Sequence, residues 1–241
     1  ISLEKAIKIG QAFNEQQGLR NVMLFFQEYG ISPSHSIKIY KVFGDRAIDE
    51  IKENPYKLSE QIFGITFKIA DKLAMSLGID PLSIYRLCSG IKHVLTLSAT
   101  NGHTYLPEDK LMEMTSQLLD VRIDEIKDAC IRLLMDKAIF MEKGSDCNRI
   151  YLSSLYNAEI SVCKKLIMLS SVEFQNDPEE LERRINDIEK EEGIVFAQNQ
   201  LLALKEALSH GVIVITGGPG TGKTTIIKSI IKLMQSEGYN V

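Results

Sequence analysis

The run Gly217-Gly218-Pro219-Gly220-Thr221-Gly222-Lys223-Thr224-Thr225 has the residue types and spacing to hold a chain of phosphates. It satisfies G-x-x-x-x-G-K-[ST] in full. Glycines permit the tight turn, and successive backbone N–H groups then converge on a β-phosphate. Lys223 would reach the β- and γ-phosphates, and Thr224 would offer its hydroxyl to Mg²⁺. The expected nucleotide-binding residues are Gly217, Gly218, Pro219, Gly220, Thr221, Gly222, Lys223, Thr224 and Thr225. Lys223 and Thr224 are the expected catalytic pair, and Thr224 is the expected metal ligand.

Such a loop is expected between a strand and a helix. Val212-Ile213-Val214-Ile215 reads as a buried strand leading into it. Ile226, Ile227, Ile230, Ile231 and Leu233 form the apolar face of a helix leading out. Ahead of both, Phe196 to Leu208 reads as an amphipathic helix that contains Gln200.

The first eighty residues carry a repeat. Three nine-residue segments align without gaps: Ile1 to Ile9, Ile31 to Ile39 and Ile65 to Leu73. Each begins with Ile, follows with Ser or Thr, and places a small residue (Ala6, Ser36, Ala70) five positions on. Lys8, Lys38 and Lys72 come next, then Ile or Leu. Gly30 and Gly64 precede the second and third copies. The pattern predicts a tandem unit of helix, tight Gly turn and helix. Ser32 is a natural N-cap with Pro33 at the first helical position, and Thr66 is expected to cap in the same way. Val22 to Phe26 supplies an upstream helix.

This unit resembles the helix-hairpin-helix family, whose Gly-hydrophobic-Gly turn presents backbone N–H groups to a DNA phosphate. Ser2, Ser32 and Thr66 stand where that family has its second Gly, and a capping hydroxyl competes for the same N–H groups. Lys8, Lys38 and Lys72 are therefore candidate DNA contacts or simply a solvated face.

Helical spacing resumes from Ile84 to Thr100, followed by a short extended piece at Thr104-Tyr105-Leu106. Pro107 is expected to open a helix running through Leu119, and Asp124 to cap another ending near Lys137. Ala138 to Met141 and Arg149 to Leu152 read as two strands around a Lys143-Gly144-Ser145-Asp146 turn. That order is the order of a winged-helix domain. Asp124, Glu125, Asp128 and Asp136 on its third helix suit a packing module better than a major-groove reader. Asp177 and Pro178 announce a further helix in an acidic linking stretch.

The formal charge of −4 argues against bulk electrostatic grip on nucleic acid, yet it is unevenly spread. Residues 153–195 hold 5 Lys/Arg against 10 Asp/Glu, whereas 196–241 hold 4 against 2, so the phosphate segment is mildly basic. Cys88, Cys130, Cys147 and Cys163 lie far apart, with no zinc-type spacing, as expected of free thiols in a cytoplasmic protein. No apolar run reaches the length of a membrane span.

Together these readings divide the chain into helix-hairpin-helix-like repeats (1–80), a winged-helix-like domain (84–152), a helical linker (153–195) and the start of a P-loop α/β domain (196–241). The fold is expected to be mostly α. The ordered set is more specific than its parts. Glu53-Asn54-Pro55-Tyr56-Lys57-Leu58, Gly102-His103-Thr104-Tyr105-Leu106-Pro107 and the phosphate loop follow the hairpin repeat in turn. In this respect the chain resembles the long-form RecD-like DNA helicases (RecD/TraA family, superfamily 1), related to the exodeoxyribonuclease V alpha subunit.

That resemblance implies a RecA-like motor domain that uses ATP and Mg²⁺ to move 5′-to-3′ on single-stranded DNA and separate strands in repair or recombination. It places Gln200 where a glutamine contacts adenine. It also leaves room for protein partners on the N-terminal modules. The chain starts at Ile1, and 18 residues follow Lys223. A cut chain, inactive by itself, is the expectation. A DNA-binding scaffold with a nucleotide switch, or an AAA+ loader, would share the phosphate loop.

Overall fold

The computed structural model describes the backbone of residues 3–241 and the side chains of Lys5, Phe13 and residues 15–241. The chain forms two compact units, Ile1–Tyr156 and Asn157–Val241.

The first unit starts with α1 (Leu3–Glu28), which turns at Gly30 into α2 (Pro33–Phe43). A short 3-10 turn, α3 (Ala47–Glu53) and α4 (Lys57–Gln61) follow, and a second turn at Gly64 leads into α5 (Phe67–Ser76). Gly30 has φ +75° and Gly64 φ +98°, a backbone region that side-chain-bearing residues rarely adopt. The hairpins expected of the second and third repeat copies are therefore present. Ser36 and Ala70 are fully buried, which lets the helices approach closely. Ala6 and Lys8 of the first copy lie outside the described side chains, and Ile1 and Ser2 lie outside the described backbone.

Two capping expectations need correction. Ser32 accepts from the His35 N–H at 3.4 Å, as expected, but Thr66 makes no side-chain capping bond. Asp124 does not cap α8 (Ile123–Met135). Arg122 is the N-cap, its N–H donates to Glu125 Oε2 at 2.8 Å, and Asp124 pairs with Lys127 instead. Starting the helix earlier brings Glu125 within reach of the cap N–H, which is the stronger local arrangement.

The remaining elements of this unit follow the winged-helix order. α6 (Ile84–Thr100) leads to β1 (Tyr105–Pro107), α7 (Glu108–Leu119), α8, β2 (Ile139–Lys143) and β3 (Asn148–Leu152). Pro107 ends β1 and N-caps α7 rather than opening it. The sheet order is β1-β3-β2, antiparallel throughout, with Leu106, Ile150 and Met141 in register on one face. A single apolar core runs through the hairpins and this module, from Val22 and Phe26 through Ile39, Leu58 and Ile91 to Leu111, Ile126 and Ile150. Each such side chain contributes about 1.5–3 kcal/mol by leaving water.

α9 (Ser153–Ser170) carries the chain out of the first unit, and beyond Tyr156 its side chains are exposed. In the second unit, Asp177 caps α10 (Pro178–Glu192) by accepting from Glu179 N–H at 3.0 Å, with Pro178 in the first turn. Leu181, Ile185 and Ile188 of α10 pack with Leu204 and Leu208 of α11 (Gln198–Ser209) and Ile226 and Leu233 of α12 (Lys223–Ser236). The strand expected at 212–215 is absent from the described structure. A strand exists only through its ladder, and no described strand pairs with this one, which leaves Val214 83% exposed.

Candidate phosphate-binding site

The loop sits at the N-terminus of α12, where the helix dipole favours negative charge and no acid occupies the first turn. α12 is anchored below it by buried Ile226 and Leu233. Buried Ser229 donates to the Thr225 carbonyl at 3.0 Å. Gly222 is the N-cap at φ +80°. A Cβ there would lie 2.6 Å from Gln200 Nε2, so any other residue would be strained by conformation and would displace the Gln200 amide.

Gln200, half-buried in the first turn of α11, joins two elements with one amide. Its Oε1 accepts from Ala197 N–H at 2.9 Å, and its Nε2 donates to the Thr221 carbonyl at 3.1 Å. The glutamine singled out by sequence thus touches the loop itself. Lys223 Nζ donates to the carbonyls of Gly217 and Gly218, both at 2.6 Å, and Thr221 Oγ1 donates to Gly218 at 2.9 Å. Among the described residues, the N–H groups of Gly220, Thr221 and Gly222 have no backbone acceptor. Gly217, Gly218, Pro219 and Gly220 are exposed, as are Thr224 and Thr225.

Open N–H donors, an ammonium over the same loop and a helix N-terminus make a cradle that fits a polyphosphate. A phosphate entering it would replace the two carbonyls as the partner of Lys223. Among the described residues no group of His, Cys, Asp and Glu could hold a metal ion. The Thr224 hydroxyl would be one oxygen ligand for a hard cation held with the phosphates here.

The candidate DNA contacts are placed differently from one another. Lys38, on α2, donates to the Phe63 carbonyl at 3.0 Å, and its Nζ lies 5.6 Å from the Phe63 ring centroid. Lys72 is exposed on α5. The side chain of Lys8 lies outside the described residues. Of the histidines, His93 stacks on Phe67 at 5.0 Å, and His210 pairs with Glu206 at 3.1 Å. All four cysteines are free. Burial pushes the Cys130 thiol up to about 11.

Sequence reasoning missed a polar cluster that ties the hairpins to the module behind them. Arg86 Nε and Nη2 donate to the two carboxylate oxygens of Asp71 at 2.8 and 3.2 Å, and Tyr56 Oη donates to Asp71 at 2.7 Å. Arg86 Nη1 reaches the carbonyls of Pro81 and Leu119 at 3.1 and 3.0 Å. Burial, then the bond to Asp71, pushes the Tyr56 hydroxyl far above its ordinary pKa, and the Asp71 bond raises that of Arg86. Tyr56, Asp71 and Arg86 stand 15 residues apart in turn, and Leu119 lies 33 beyond Arg86, so no local pattern could reveal the cluster.

Residues 15–105 match the family model of the ATP-dependent RecD2 DNA helicase HHH domain, and residues 200–240 match that of an AAA domain. An ATP-dependent RecD2 DNA helicase of Deinococcus radiodurans is 28% identical over 245 residues, covering 94% of this chain and 33% of the relative. The RecBCD enzyme subunit RecD of Mycolicibacterium smegmatis is 33% identical over 88 residues, 36% of this chain and 14% of that protein. The chain thus spans about a third or less of the length of these relatives. Over its hairpins, and then over its glycine-rich loop, the chain is thus similar to RecD-like helicases.

Proposed function

We propose that this chain serves an ATP-dependent DNA helicase, with residues 196–241 beginning its RecA-like motor domain. The observation that carries the proposal is the loop. Its free N–H groups, the Lys223 ammonium and the Gln200 amide meet at the N-terminus of α12, in a chain whose residues 15–105 match a RecD2 hairpin domain. Gly217 to Thr225 would cradle the triphosphate of ATP. Lys223 would place positive charge against the β- and γ-phosphates as charge develops on them. Thr224 would hold Mg²⁺, which supplies further charge neutralisation across the phosphates. Gln200, already bound to the loop through Thr221, would orient the adenine.

Hydrolysis would drive 5′-to-3′ movement along single-stranded DNA and strand separation in the cytoplasm. The hairpins of 1–80 would contact DNA, and the winged-helix-like module of 84–152 would pack against protein. Among the described residues no helix is long and apolar enough to cross a membrane.

The test is Lys223→Ala in the whole protein. Single-stranded DNA should stimulate ATP hydrolysis by the wild type, and the variant should lose that hydrolysis while keeping its helical circular dichroism. Hydrolysis that survives the substitution would remove Lys223 from its role. Stimulation by protein partners but not by DNA would favour the scaffold or loader reading instead.

A further inference from the structure

Phe63 is 90% exposed, in a turn whose neighbouring apolar residues are not. Ile62 and Ile65 are buried at 3% and 4% exposure, and the Ile65 N–H closes the turn on the Ile62 carbonyl at 3.1 Å. The ring between them is thus directed outward by the turn itself.

Its backbone is pinned while its ring is bare. Lys38 holds the Phe63 carbonyl, and the His35 ring lies against Gly64, where a Cβ would come within 2.9 Å of its Nε2. An ordered, exposed aromatic with a cation beside it costs little further entropy to engage a flat partner.

The surrounding charge indicates what that partner carries. α2 contributes His35, Lys38 and Lys41 and contains no acid. α5 exposes Lys68 and Lys72, whereas its one acid, Asp71, is engaged by Tyr56 and Arg86. Glu60 of α4 is paired with Lys92. The two repeat copies also differ, since the Ser32 hydroxyl occupies an N–H at the start of α2 and Thr66 leaves those of α5 without a side-chain cap. A flat apolar face flanked by negative groups describes an unstacked nucleobase with its phosphates. Duplex bases already stack on each other, which selects single strands.

We propose that Phe63 is a stacking platform for one unpaired base of single-stranded DNA, with Lys38 and Lys68 against the neighbouring phosphates. The proposal rests on the DNA-binding reading above and adds to it a residue and a mode of contact. Stacking of this kind corresponds to roughly a tenfold change in affinity on removal of the ring.

The chain contains no tryptophan, so Phe63→Trp installs a single reporter at this position. Oligothymidylate should quench its emission as binding saturates, with binding followed independently by anisotropy of a labelled strand. Phe63→Ala should weaken oligothymidylate binding about tenfold yet bind an abasic strand of equal length as the wild type does. At such exposure neither variant removes core packing, and circular dichroism would verify the fold. Emission that does not move at saturation, or equal affinities of Phe63→Ala and wild type for oligothymidylate, would overturn the platform and leave DNA binding standing. An equal loss on abasic DNA would overturn it too, because no base is then involved. A wild type that binds neither strand would overturn the DNA-binding reading and this proposal together.

Discussion

Replacing Asp71 by Ala should destabilise the first compact unit by about 2–4 kcal/mol. Removing one partner of a buried ion pair costs about 3–5 kcal/mol, because the other charge is left without compensation. Here the Arg86 side chain is 9% exposed and that of Asp71 21%, so water reaches part of the carboxylate and the lower end applies. The loss includes two guanidinium bonds and the bond from Tyr56, whose ring is 1% exposed and whose hydroxyl has no other described acceptor. Thermal unfolding followed by helical circular dichroism should show the first unit melting on the order of 10 °C lower. The double variant Asp71→Leu with Arg86→Met should recover part of that loss, since it removes both charges and leaves shape. An Asp71→Ala chain that melts within about 1 °C of the wild type, or a double variant whose loss is the sum of the singles, would refute the argument.

Two further outcomes follow from the geometry. Gly222→Ala should weaken binding of a fluorescent ATP analogue at least about tenfold with helicity intact, because the methyl group meets Gln200 Nε2 and φ +80° is strained; undiminished binding would show that the Gln200–loop contact is dispensable. Burial lowers the pKa of His93, so the unfolded chain takes up a proton below about pH 6.5 that the folded chain resists. Stability should therefore fall as pH drops through that range, and His93→Phe, which keeps the stack on Phe67, should flatten the slope measured by urea unfolding; an unchanged slope would refute the assignment to His93.

What was legible in the sequence was what chemistry forces into adjacent positions. The phosphate loop needs glycines, a lysine and a hydroxyl within nine consecutive residues, and the hairpin turns of the second and third copies need a glycine at the same place in each. Pro33 and Pro178 marked helix starts because proline fits the first turn and little else in a helix. The failures share a different cause. An apolar run such as 212–215 reads as a strand, but its structure depends on a neighbour that periodicity cannot supply. Asp71 lies inside the repeat, which gives it no role of its own, while its partners Tyr56 and Arg86 arrive from fifteen residues away on either side. Phe63 carried no reading at all, because apolar spacing does not state which way a turn points.

The repeat itself shows how one pattern can serve two ends. The second and third copies share the glycine turn and the buried small residue, so both were required to build the hairpin. They differ in what happens to the N–H groups at the start of the second helix. In the second copy the Ser32 hydroxyl engages one of them, and Ser36 donates back to the Ser32 carbonyl at 3.2 Å, so the turn is satisfied from within. In the third copy the Thr66 hydroxyl makes no capping bond, and the adjoining Phe63 ring is unburied. The contact between them runs one way: His35 and Lys38 of the second copy support Gly64 and Phe63 of the third. A closed hairpin bracing an open one is the arrangement that a stationary scaffold would give to a turn meant to touch something outside the chain.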